Sequence, residues 1–180
     1  MSAVSAVLFD RDGTLVVDVP YNGDPERVRT LPGAAEAVAF VRAAGLPTGV
    51  VSNQSGIGRG LLTTEDVARV NRRADELLGG LDTWLYCPHA PDTGCPCRKP
   101  RPGLILAAAE RLGVPAAECL VVGDIAADML AARAAGARGV LVPNAATAPD
   151  EVRRFARHSA PDTLTAVRDA LGARPGRWPR

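Results

Sequence analysis

Residues 4–14 read Val4-Ser5-Ala6-Val7-Leu8-Phe9-Asp10-Arg11-Asp12-Gly13-Thr14. A short apolar run ending abruptly in charge predicts a buried strand whose C-terminal end carries Asp10, Arg11 and Asp12. Gly13 and Thr14 then turn the chain. Asp10 and Asp12 stand two residues apart, so the period of an extended backbone can aim both carboxylates at one solvent pocket. Two close carboxylates repel unless something cationic joins them. A hard divalent ion such as Mg²⁺, which takes oxygen ligands and keeps water or phosphate in its shell, is the usual partner. Taken alone, an Asp-x-Asp-Gly turn is equally explained by local hydrogen bonding.

Outward from this stretch, strand and helix patterns alternate. Strands are predicted at Val4 to Phe9, Pro47 to Ser52, Trp84 to Tyr86, Cys119 to Val122 and Gly139 to Val142. Helices are predicted at Ala34 to Ala44, Thr64 to Leu78, Pro102 to Leu112 and Ala126 to Ala135, with one or two more between Asp150 and Leu171. Asp18 to Pro32, punctuated by Pro20, Gly23, Pro25 and Pro32, reads as a loop over the strand ends. The alternation implies an α/β fold: a parallel sheet between two helical layers, with polar groups gathered where strands end. One domain over residues 1–171 is expected, with a flexible tail at 172–180.

Composition narrows the function. Of 180 residues, 21 are Lys or Arg and 20 are Asp or Glu, a formal charge of +1. That balance argues against general attraction to nucleic acid or an anionic membrane, so phosphate recognition must be local. Neither a signal peptide nor a membrane span is legible, and a cytoplasmic monomer is the expectation. Twenty of the basic residues are Arg; Lys99 is the single Lys. A position that keeps Lys in such a chain calls for a compact ammonium rather than a planar fork.

Further polar clusters lie at the other predicted strand ends. Ser52-Asn53-Gln54-Ser55 offers hydroxyls, amides and backbone N–H groups suited to phosphate oxygens, although alone it could be a helix cap. Lys99 follows in Cys97-Arg98-Lys99-Pro100, and Gly123-Asp124 is followed by Asp128, which alone could support a helix N-terminus. In this order the four clusters resemble the haloacid dehalogenase superfamily of phosphohydrolases over roughly residues 4–143. The resemblance implies a Rossmann-like sheet ordered 3-2-1-4-5 without a large cap domain. It also implies Asp10 as nucleophile, Asp12 as acid and base, and Ser52 and Lys99 as holders of the transferring oxygens. Mg²⁺ would be bound by Asp10, Asp124 and the backbone carbonyl of Asp12.

Cys87-Pro-His89 and Cys95-Pro-Cys97 supply four soft or borderline ligands within eleven residues. Each pair is split by one residue, so on extended backbone both side chains can face one point, and three thiolates with one imidazole suit a closed, structural Zn²⁺ site. The alternative is unrelated cysteines in a Pro-rich loop. Cys119, in an apolar strand, reads as core, and His158 as a surface or packed histidine.

These motifs together resemble a smaller group of the superfamily whose members act on a heptose bisphosphate or on histidinol phosphate. By that resemblance Asp18, Tyr21, Ser52, Asn53, Gln54, Ser55, Arg98 and Lys99 contact a small phosphorylated substrate, expected to be a sugar bisphosphate. The Asn53-to-Gly60 and Arg98-to-Gly103 stretches favour the heptose enzymes. Ile125 in place of their usual Lys, and the five residues between His89 and Cys95, point the other way. A non-catalytic sugar-phosphate or protein-binding module is the alternative from another class.

Overall fold

In the computed structural model, which describes residues 4–172, the first strand is β1, Ala6–Phe9, and all four of its residues are buried. Its alternate residues supply two separate cores. Val7 and Phe9 face one side with Val50, Leu120 and Val122, whereas Ala6 and Leu8 face the other with Val51 and Val121. A strand sealed on both faces belongs at the centre of a sheet covered by helices, which is why its pattern is continuously apolar rather than alternating.

The partners of β1 are β2 (Thr48–Asn53) and β4 (Cys119–Gly123), with β3 (Thr83–Cys87) outside β2 and β5 (Arg138–Leu141) outside β4. All pairings are parallel and the order is β3-β2-β1-β4-β5, as the resemblance implied. Phe9 lies level with Val50 and Val122, so Asp10 and the segments after Asn53 and Gly123 leave the sheet at the same edge.

Helices α1 (Ala34–Ala43), α3 (Thr64–Leu78) and α7 (Thr163–Leu171) cover the Phe9 face; α4 (Gly103–Leu112) and α5 (Ala126–Ala134) cover the Leu8 face. The α3 boundaries match the sequence reading, and the helix start is held by reciprocal bonds between Thr63 and Asp66. Helices α6 (Pro149–Phe155) and α7 are the two expected between Asp150 and Leu171, whereas the one-turn α2 (Ser55–Gly58) lies outside the expected pattern. A single turn is too short to show helical periodicity, so the Ser55-Gly56-Ile57-Gly58 stretch carries no such signal. The predicted tail, apart from Gly172, lies outside the described residues. No described helix is long and apolar enough to cross a membrane.

Candidate active site

At the C-terminal edge of the sheet, a pocket of about 310 Å³ is lined by Asp10, Asp12, Asp18, Tyr21, Ser52 to Ser55, Lys99 and Asp124. Every residue expected to meet substrate is therefore gathered there except Arg98. Arg98 lines an adjoining hollow of about 240 Å³ that shares Lys99 with the first. One guanidinium nitrogen of Arg98, Nη1, is buried with no acceptor in the protein.

Asp10 is buried at the end of β1. Its Oδ1 accepts the Arg11 backbone N–H at 2.7 Å and pairs with Lys99 Nζ at 2.9 Å. Lys99, only 2% exposed, also reaches Asp128 Oδ1 at 2.6 Å and donates to the Val51 carbonyl at 2.7 Å. Its backbone is gripped by Asn53, whose amide accepts from Lys99 N and donates to Lys99 O, both at 3.1 Å. Both ends of the Asn53 side chain are thus engaged in placing the lysine. Gln54 Nε2 donates to Ser52 Oγ and to Asp12 Oδ2, each at 2.8 Å.

Asp10, Asp124 and Asp128 each present an oxygen within 4.8 Å of the others. With one ammonium among three carboxylates, charge is uncompensated. Burial, reinforced by Asp128, Asp124 and Asp12 and opposed by Lys99, pushes Asp10 up to about 8. Burial and Asp128 push Asp124 up to about 6 against the bonds from Asn144 and Thr14. Burial opposes the charged form of Lys99, yet the charges of Asp10 and Asp128 outweigh it and hold the lysine above its ordinary value. A buried, oxygen-only, electron-rich group of this kind fits a hard divalent cation. The Asp12 carboxylate lies outside the trio; its oxygens are taken by Arg11 and Gln54.

Four residues support this site, two of which, Asn144 and Thr147, were not legible in sequence. Asp128 caps the start of α5 at Ile125 N, the role its position suggests, but its other oxygen carries the ion pair with Lys99. Asn144 donates to Asp124 Oδ2 at 2.9 Å and Thr147 to the Asp124 carbonyl at 2.8 Å, so the loop after β5 holds that carboxylate. Gly13, at φ +79°, leaves no room for a side chain against Asp124. Asp128 was legible from its spacing after Asp124 in the fourth cluster; Asn144 and Thr147 carried no signal.

Beside the pocket, Cys87 Sγ, His89 Nδ1, Cys95 Sγ and Cys97 Sγ converge, all mutually within 4.8 Å. The sulfurs are 3.2 to 3.5 Å apart and none forms a disulfide. Zinc–thiolate bonds of about 2.3 Å arranged tetrahedrally would set the sulfurs about 3.8 Å apart, a small expansion of this cluster. The donors present therefore fit Zn²⁺. Cys119, by contrast, is sealed in the core, and His158 is exposed.

Residues 96–170 match the family model described as HAD-hydrolase-like. The D-glycero-beta-D-manno-heptose-1,7-bisphosphate 7-phosphatase of Pseudomonas putida is 40% identical over 141 residues, covering 76% of this chain and 81% of that protein. The enzyme of the same name from Mesorhizobium japonicum is 39% identical over 93% of this chain and 83% of its own length. The chain belongs to the haloacid dehalogenase superfamily of phosphatases. A solved D,D-heptose 1,7-bisphosphate phosphatase from B. bronchiseptica, complexed with magnesium and phosphate, superposes on this phosphatase with a TM-score of 0.81. That pair shares 30% identity, over 93% of this chain and 98% of the other. The fold of this phosphatase is thus shared, over most of its length, with that enzyme.

Proposed function

We propose that this phosphatase removes the 7-phosphate of D-glycero-D-manno-heptose 1,7-bisphosphate through an aspartyl-phosphate on Asp10. The observation that carries the reading is Asp10 at the foot of a polar pocket, its charge faced by Lys99 at 2.9 Å, with Ser52 and Asp12 on the same wall. An Asp10 oxygen attacks phosphorus as the bond to the leaving oxygen breaks, and Asp12 donates a proton to that oxygen. Asp12 then takes a proton from water as the water oxygen bonds phosphorus and the phosphorus–Asp10 bond breaks. Inorganic phosphate leaves and both carboxyl groups return to their starting states. Ser52 and Lys99 hold the phosphoryl oxygens throughout.

Asp10, Asp124 and the Asp12 backbone carbonyl would hold Mg²⁺, with Asp128 behind them; when bound, the ion offsets negative charge on nucleophile and phosphoryl group. Zn²⁺ in the Cys87, His89, Cys95, Cys97 cluster would fix the loop that ends in Arg98 and Lys99. A bisphosphate needs a second anion site, and Arg98, which lines the hollow adjoining the pocket, is a cation for it. Asp18 and Tyr21 close the sugar side of the pocket.

The test compares kcat/KM for the heptose bisphosphate, histidinol phosphate and simple sugar monophosphates with Mg²⁺ present. The bisphosphate should lead, and Arg98→Ala should erase its advantage over monophosphates. A preference for histidinol phosphate would reassign the substrate; no phosphate release from any of them would leave a binding module. Asp10→Asn should abolish turnover while the protein stays folded.

A further inference from the structure

The turn that follows Asp10 contains a buried cation that the reaction as described does not use. Arg11 is 2% exposed, and its guanidinium is applied sideways to the next residue. Nε lies 3.1 Å from both oxygens of Asp12, and Nη2 lies 2.9 Å from Oδ2. On its far side Nη1 donates to Asn71 Oδ1 at 2.7 Å. Asn71 sits on α3, one helical face with Val67 and Ala74, which are anchored in the core. Gln54 Nε2 adds a further donor at Asp12 Oδ2.

The two oxygens of Asp12 are therefore unequal. Oδ2 receives Nη2, Gln54 and a share of Nε, whereas Oδ1 has only the other share of Nε. A carboxyl group on a short side chain next to a turn has rotational freedom, and proton transfer demands a hydrogen-bond approach in a fixed direction. We propose that Arg11, braced by Asn71, is a positioning residue that locks Asp12 by its Oδ2 edge and leaves Oδ1 to exchange the proton with the leaving oxygen and then with water. A planar fork does this where an ammonium would not, because two parallel N–H groups fix both rotation and tilt. The helix that carries Asn71 thereby contributes to the site without touching substrate.

This inference rests on the assignment of Asp12 as the acid, so its test must separate the two. Nitrophenyl phosphate expels a stable anion that needs no proton, whereas an alkyl phosphate such as a sugar phosphate needs one as its bond to phosphorus breaks. The measured quantity is kcat/KM, which reports the steps through loss of the leaving group. Asp12→Asn should lose far more on the alkyl ester than on nitrophenyl phosphate; equal losses would overturn the assignment of Asp12. Given that pattern, Arg11→Met should follow it, with about a 100-fold loss on the alkyl ester and less than about 5-fold on nitrophenyl phosphate. Asn71→Ala should show the same bias more weakly, about 10-fold against no change. Equal losses on both esters in the Arg11 and Asn71 variants, or none, would overturn the positioning role. Should Arg11→Met fail to fold by circular dichroism, Asn71→Ala, which leaves the Arg11–Asp12 pair in place, decides the matter.

Discussion

Lys99 Nζ donates to the Val51 carbonyl at 2.7 Å and forms ion pairs with Asp128 Oδ1 at 2.6 Å and Asp10 Oδ1 at 2.9 Å. A compact ammonium fits among these three oxygens, and a planar guanidinium of larger span in the same 2%-exposed space does not. This is the physical content behind the one Lys in a chain of twenty Arg. Lys99→Arg should therefore behave as a loss-of-function change despite keeping the charge, lowering kcat by at least about 100-fold. Lys99→Ala should do the same and also leave three buried carboxylates without a counter-charge. Activity of Lys99→Arg within a few fold of the parent, measured by phosphate release, would contradict this reading.

Among the elements, the loop from β3 to α4 joins the cysteine and histidine cluster to the candidate catalytic pocket, since Cys97 precedes Arg98 and Lys99 directly. The loop also leans on α2: Gly58 N donates to the Pro88 carbonyl at 2.8 Å, and a Cβ at Gly58 would overlap the backbone of Ala90. Removing zinc with a chelator should raise KM before it unfolds the sheet, and the change should be visible as faster amide exchange confined to residues 87–101. Gly58→Ala should produce the same KM effect with metal still bound, because it pushes the loop from the opposite side. An unchanged KM in both would separate the cluster from the site. How much of this was legible follows from the range of the interactions. The Asp10 strand, the Ser52 cluster, Lys99 and the four soft ligands declare themselves through local composition at strand ends. Asn71, Asn144 and Thr147 act across 60, 20 and 23 positions of sequence, and an isolated Asn or Thr carries no local pattern that foretells such a contact. Asn53 was legible as a site residue, but that its amide grips the Lys99 backbone depends on the register of β2 with the loop.

For the whole molecule, the site is a store of unfavourable charge that a divalent ion would relieve. Without metal, burial raises Asp10 from 3.8 to about 8 and Asp124 from 3.8 to about 6. Between those limits the native state holds more protons than the unfolded chain, so stability must fall as pH rises. The stabilisation is full below pH 3.8 and is lost as pH passes about 6 and then about 8. Lys99, raised from 10.5, remains charged in both states over this window and adds no slope. Mg²⁺ requires the deprotonated carboxylates, so its binding should strengthen over the same range and release protons as it does so. The melting midpoint of chelated protein should therefore drop from pH 5 to pH 8 by roughly 5 °C or more, since each kcal/mol moves a domain of this size by about 2–4 °C. Millimolar Mg²⁺ should flatten that decline, with its largest gain at the alkaline end. Asp10→Asn, which replaces the most strongly shifted carboxylate by a neutral amide, should flatten the metal-free profile and lie above the parent at pH 8. A parent whose metal-free midpoint does not change with pH, or a variant that declines as steeply, would mean that the carboxylates are not charged against one another in the folded protein.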